Sequence, residues 1–368
     1  MTKSPNTRRF QQRRLAESSA AAQGQYVPAI EVTRGSMVES VHCAALAVAD
    51  SAGKVVARLG GISEPVFIRS SAKPIQAMAV IESGAAEKFD ITPRELAIMC
   101  GSHSGEAFHV QTVVGLLARL DLSAEALQCG THTPFSKAVA EQYRKEGRPF
   151  TTLEHNCSGK HAGMLASCLA GGHDTARYLE PTHPVQQRVM GILADLTGRM
   201  RDRIAVAVDG CSAPTFGVSL EESARAFARL ADPERIDPRH RDAARRVIEA
   251  MRAHPEMVGG TGTLDTELTA LPKHALICKR GAEGVQCAAF FRDNLGFGLA
   301  AKIGDGDNYR ARVALTIESL RQLGVLEAGD IEQLTETSYL RILNNRGREV
   351  GQVRGAFVMG SGIPGPAR

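Results

Sequence analysis

The 368-residue chain has no apolar run approaching the roughly 18 residues that cross a bilayer, so an integral membrane protein is not expected. Its N-terminus, MTKSPNTRRFQQRRLAESSAAAQGQ, lacks the apolar central segment of a secretory leader. Acid is also missing there: the first 14 residues hold five of the 44 cations and no carboxylate, which leaves 39 cations against 40 acids beyond. The sequence pI of about 8.6 therefore reflects this tail, residues 1–26, which reads as disordered. No basic face argues for nucleic acid. Cys-x-x-Cys pairs are absent too. Cys43, Cys100, Cys129, Cys157, Cys168, Cys211, Cys278 and Cys287 are scattered through a long chain, as in a reduced cytoplasmic protein whose thiols are small buried hydrophobes. There is no internal repeat.

What is present is the composition of an ordinary globular protein, 43% hydrophobic and 23% charged. Val38–Ala49 and Lys54–Leu59 flank Asp50-Ser51-Ala52-Gly53 as a hairpin. Thr92-Pro93-Arg94-Glu95 is a capping box that starts a helix ending at Cys100. Helical periodicity recurs over 107–120, 185–196 and 239–252. Asn156–Gly163 and Asp209–Ser212 read as small-residue loops, the second after a strand at 204–208. Strands at 275–278, 285–291 and 295–303 precede a last helix that ends near Leu326. This order predicts an α+β fold, a mainly antiparallel sheet flanked by helices with a helical lobe inserted. The expected unit is 27–368, with a sheet lobe from about 27–75 and 205–368 and a mostly helical lobe at about 76–204.

Three short elements carry chemistry. Ser70-x-x-Lys73 at a helix start places an amine one turn from a hydroxyl, and a neutral amine can deprotonate a serine. Ser102 lies on the loop after the capped helix. Lys279-Arg280-Gly281 puts a second lysine on a strand. Penicillin-recognising serine enzymes use this order, although Arg280 departs from their Thr or Ser and no Ser-x-Asn is present. One lysine would act as base, the other would keep it neutral, and Ser102 would relay a proton. Taken alone, Cys157 and Cys211 are structural thiols, His103 is a hydrogen-bonding loop residue, and Lys302 and Asp305 belong to a polar turn. Gly304-Asp305-Gly306-Asp307 lacks the spacing of a calcium loop.

Arg69-Ser70-Ser71-Ala72-Lys73-Pro74, Cys100-Gly101-Ser102-His103-Ser104, Asn156-Cys157-Ser158-Gly159-Lys160-His161, Asp209-Gly210-Cys211 and His254-Pro255-Glu256-Met257-Val258 together resemble the Rhizobium etli-type L-asparaginases. The likeness runs from about Thr33 to the end. It implies a serine β-lactamase/glutaminase-like fold and hydrolysis of L-asparagine to aspartate and ammonia by a cytoplasmic homodimer. Carried over by motif, Ser70 is the nucleophile, Lys73 its base, and Ser102 with Lys279 the second pair. Cys157, Lys160 and Cys211 match the family's zinc ligands, one ion per subunit and not essential to the chemical step. Asp209, Arg69 and His161 are the expected substrate contacts, His161 alternatively lying beside the metal. Asp265 stands where one relative has cysteine. The rival readings are another serine amidohydrolase, glutaminase or β-lactamase-like, and a zinc-dependent amino-acid-binding protein without turnover.

Overall fold

A computed structural model describes residues 25–272 and 275–361. Most of the expected basic tail, residues 1–24, lies outside the described residues. Gln25 and Tyr26, grouped with that tail by sequence, belong to the folded unit: Gly61 N–H donates to Gln25 O at 2.8 Å.

The strands in chain order are β1 (Val27–Arg34), β2 (Met37–Asp50), β3 (Val55–Leu59), β4 (Pro65–Phe67), β5 (Ala205–Val208), β6 (Pro214–Ser219), β7 (Ile277–Arg280), β8 (Val285–Arg292), β9 (Leu295–Ile303), β10 (Arg341–Leu343), β11 (Glu349–Gly355) and β12 (Gly360–Ser361). The main sheet is antiparallel in the order β10-β11-β1-β2-β9-β8-β7, with β3 pairing both β2 and β12. A small second sheet runs β4-β6-β5. The expected hairpin is β2–β3, pairing Leu46 with Leu59 through Val48 with Ala57, then shifting by one residue so that Ala49 faces Val55.

The second half of β2 is apolar on both sides because both faces of the sheet are covered. Ala45, Ala47 and Ala49 join one core, while Ala44, Leu46 and Val48 join the other. Successive side chains of a strand point to opposite faces, so a run that fills two cores cannot alternate with polar residues.

Nine longer helices matter for the site: α1 (Lys73–Glu82), α2 (Pro93–Cys100), α3 (Ala107–Arg119), α4 (Ser158–Gly171), α5 (Pro184–Thr197), α6 (Leu220–Ala231), α7 (Pro238–Ala253), α8 (Leu264–Ala270) and α9 (Arg310–Gln322). α6 lies across β2, β8 and β9 on one face, and α9 packs against β1, β8, β9 and β11 on the other. The helical layer is not confined to 76–204. α7, from the stretch assigned to the sheet lobe, packs on α1 and α2. Its apolar stripe of Ala243, Val247, Ala250 and Met251 at helical spacing is buried there.

Candidate active site

The site forms where the end of β4, the end of α2, the start of α4, the β5–β6 loop and β7 converge. Ile68 N–H bonds Phe216 O across the small sheet, and the chain then turns sharply: Arg69 has φ +50° and opens a 3-10 turn through Ala72. A left-handed φ at arginine is strained, and such positions concentrate at functional sites. Arg69 is held by the β5–β6 loop, donating from Nε and NH2 to Asp209 Oδ1 at 2.8 Å. Burial works against the Asp209 charge, but Lys160 and Arg69 outweigh it and hold its carboxyl below the usual range.

Sequence spacing places the Lys73 amine beside Ser70. The structure sends it elsewhere. Lys73 Nζ donates to Gly101 O (2.5 Å) and Asn156 O (3.0 Å) and lies 3.1 Å from Ser102 Oγ. Among the described hydrogen bonds, none joins it to Ser70. Lys279 Nζ reaches the same Ser102 Oγ at 2.9 Å, together with Arg280 O at 2.8 Å. Both lysines are fully buried. Burial lowers the Lys73 amine, and it lowers Lys279 to about 7, Lys73 and Arg280 adding like-charge repulsion against the pull of Asp265.

Ser102 is fixed by backbone. Its N–H donates to Val258 O at 2.8 Å, and a Cβ on Gly101 would collide with Met257 O, so only glycine fits before it. The His254–Val258 motif thus serves as a clamp on the Ser102 loop. His103 is structural: Gly105 N–H donates to its Nδ1, leaving Nε2–H for Ser158 Oγ at 2.9 Å. Asp305 pairs with His42, and Lys302 bonds the carbonyls of Glu283 and Ile303, so neither enters the site.

Asn156–Gly163, read as a loop, is mostly helix: α4 begins at Ser158 with Cys157 as its N-cap. Small residues suit a helix here because α2 crosses closely. A Cβ on Gly159 would sit 2.6 Å from Ile98 O. The first turn of α4 brings Lys160 Nζ to 3.0 Å from Cys211 Sγ of the β5–β6 loop, where Ser212 has φ +69°. Cys157 and Cys211 share a hydrogen bond, which lets one thiol of the pair ionise below its ordinary range despite burial, with Lys73 and Lys160 nearby. For Lys160, burial opposes the charge, but both cysteines outweigh it and raise the amine. His161 is fully buried, with Nδ1 2.7 Å from Tyr178 Oη. Its Nε2 lies near Cys211 but has no hydrogen-bond partner.

A cavity of about 440 Å³ opens over Ser70 and Ser102, walled also by Ser104, Asn156, Arg280 and Arg312. Arg69, Asp209 and His161 are not among its lining residues. Arg280 stands over the Phe135 ring, 5.4 Å from its centroid.

The sequence profile of L-asparaginase II matches residues 30–355, nearly the whole chain. The chain belongs to the L-asparaginase II family. The family is one of amidohydrolases. Among curated protein sequences none matches it significantly. Similar solved structures are distant. The protein named Mglu, in its native form, is 16% identical, with a TM-score of 0.42 over 77% of this chain and 65% of Mglu, so the chain spans about two thirds of Mglu's length. A β-lactamase from Mycobacterium bovis is 14% identical, with a TM-score of 0.37 over 72% of this chain and 88% of its own. The simvastatin synthase of Aspergillus terreus is 11% identical, with a TM-score of 0.36 over 80% and 90%.

In this L-asparaginase II family member the sequence motifs left several wall residues unmarked. Arg312, 2% exposed, donates to Gln286 Oε1 (2.5 Å) and Glu336 Oε2 (3.1 Å). It shares its helix face with two further buried polar residues, Thr316 and Ser319, and no sequence motif marked it. Asn156, whose carbonyl receives Lys73, carried no signal beyond its motif.

Proposed function

We propose that the protein hydrolyses L-asparagine to L-aspartate and ammonia through an acyl-enzyme on Ser70. The observation that carries this is one serine hydroxyl, Ser102 Oγ, shared by two buried lysines on the wall of the cavity that also holds Ser70. Ser70 Oγ attacks the side-chain amide carbon as its proton passes through Ser102 to the Lys73 amine. The same proton moves to the amide nitrogen, the C–N bond breaks, and ammonia leaves. Water then attacks the ester, its proton returns along the same path to Ser70, and aspartate departs. Arg69 holds the Asp209 carboxylate in place on the β5–β6 loop, next to the cysteine group.

The donor set of Cys157, Lys160 and Cys211 suits zinc once Lys160 gives up the proton that the cysteines hold on it: two sulfurs, one readily ionised, and the Lys160 nitrogen 3.0 Å from Cys211 Sγ. Among the described residues no three His, Cys, Asp or Glu side chains cluster for a metal, so this assignment depends on Lys160 as the third ligand. Bound there, zinc would supply positive charge that orients the substrate. A cytoplasmic homodimer belongs to the same proposal, supported by the family resemblance; no described helix is long and apolar enough to cross a membrane.

The test is ammonia release by the purified protein from asparagine, compared with glutamine, with S70A as control. Turnover favouring asparagine and lost in S70A is expected. No ammonia from asparagine, or turnover that survives in S70A, overturns the proposal.

A further inference from the structure

Asp265 is a buried carboxylate that the reaction steps above do not use. It sits in the first turn of α8, 1% exposed. Oδ2 accepts from Arg280 N–H at 2.9 Å and lies 3.7 Å from Lys279 Nζ and 4.0 Å from Arg280 Nε. Oδ1 accepts from Gln286 Nε2 at 3.0 Å, and Gln286 in turn accepts from Arg312. A lone buried carboxylate is costly, so this one must be compensated by the cations it faces.

The hydrogen bonds around Ser102 leave a choice. Lys73 must give two N–H groups to carbonyls, and Lys279 one. Ser102 has one proton to give, so it donates to one amine and accepts from the other. Either lysine as the ammonium satisfies every atom. The count alone does not decide.

We infer that Asp265, as a positioning residue, holds Lys279 as the ammonium that donates to Ser102 Oγ. The other groups facing Lys279 do not compete. Lys73 and Arg280 repel its charge, Cys157 attracts it at longer range, and burial pushes the thiols of Cys100 and Cys287 up to about 12 and that of Cys278 higher still, so these stay neutral. The inference rests on the Ser–Lys reading of the site.

The test is the pH dependence of Ser70 acylation by a serine-reactive fluorophosphonate probe, in wild type and D265N. If Lys279 must be an ammonium, acylation declines on the alkaline side as it loses its proton. D265N keeps the shape but removes the charge, so this limb should move to lower pH by about one unit or more. Thermal unfolding of each variant shows that it is folded. If D265N does not fold, D265S, which also lacks the charge, carries the same measurement. A limb within experimental error of wild type in a folded neutral variant overturns the assignment of Asp265 alone. No Ser70-dependent labelling of wild type overturns both this and the underlying mechanism.

Discussion

At the scale of single residues, the site separates the proposed nucleophile from its proposed base. Ser70 and Lys73 are three apart in a 3-10 turn, where i and i+3 eclipse, so both face the same side. The amine nonetheless spends its hydrogen bonds on Gly101, Asn156 and Ser102. Ser102 is therefore expected to be required. S102A removes the hydroxyl that links the two lysines, and should reduce kcat by about 10²–10⁴-fold, the usual range for a proton-transfer group. S70A should cost more, several orders of magnitude, since it removes the covalent step. Steady-state ammonia assays compare the two. S102A at wild-type rate would remove Ser102 from the path. The serines, the lysines and the cysteines were legible in the sequence because their motifs are local. What the sequence withheld is which groups touch: that both amines meet on Ser102, and that Asp265, 14 residues before Lys279, returns to its side, depends on α8 packing against β7.

At the scale of elements, α2 and α4 cross closely, and their crossing sets the distance between Ser102 at the end of one and Lys160 at the start of the other. Gly159 allows that approach. G159A puts a methyl against the Ile98 carbonyl, a backbone group with little room to move. It is expected to destabilise the fold by about 1–3 kcal/mol and also to lower activity, because α4 must shift to relieve the contact. Thr92 is the matched control. Its side chain caps the far end of α2 in a complete capping box with Glu95. T92A should cost about 1 kcal/mol of stability and leave kcat nearly unchanged. Thermal unfolding with kinetics distinguishes them, and G159A behaving like T92A would show that the crossing does not tune the site. The capping box and the α2 boundaries were readable because caps are local. The start of α4 was not, since Cys-Ser-Gly-Lys-His is a poor helix former alone and becomes helical only against α2.

At the scale of the whole molecule, the cysteine group joins parts of the chain far apart in sequence. Cys157 and Lys160 belong to the helical layer, while Cys211 lies on the loop of the small sheet that also carries Asp209 and, through it, Arg69. A zinc ion held by Cys157, Lys160 and Cys211 would therefore clamp this junction as well as order the loop facing the substrate. In the proposed mechanism the lysines and serines supply base and nucleophile, so loss of the ion should act on geometry. Chelation, or C157S, is expected to lower Tm and raise KM for asparagine several-fold, with residual kcat at saturating substrate. Metal analysis of protein purified without a histidine tag comes first: zinc well below one per chain ends the metal assignment and leaves two buried thiols beside an ammonium. If zinc is present and its removal abolishes kcat at every asparagine concentration while Tm is unchanged, the ion takes part in bond breaking. The division of labour between the clamp and the Ser–Lys chain would then be wrong. A coordinated fall in Tm and rise in KM, both reversed by restoring zinc, is the outcome that this architecture requires.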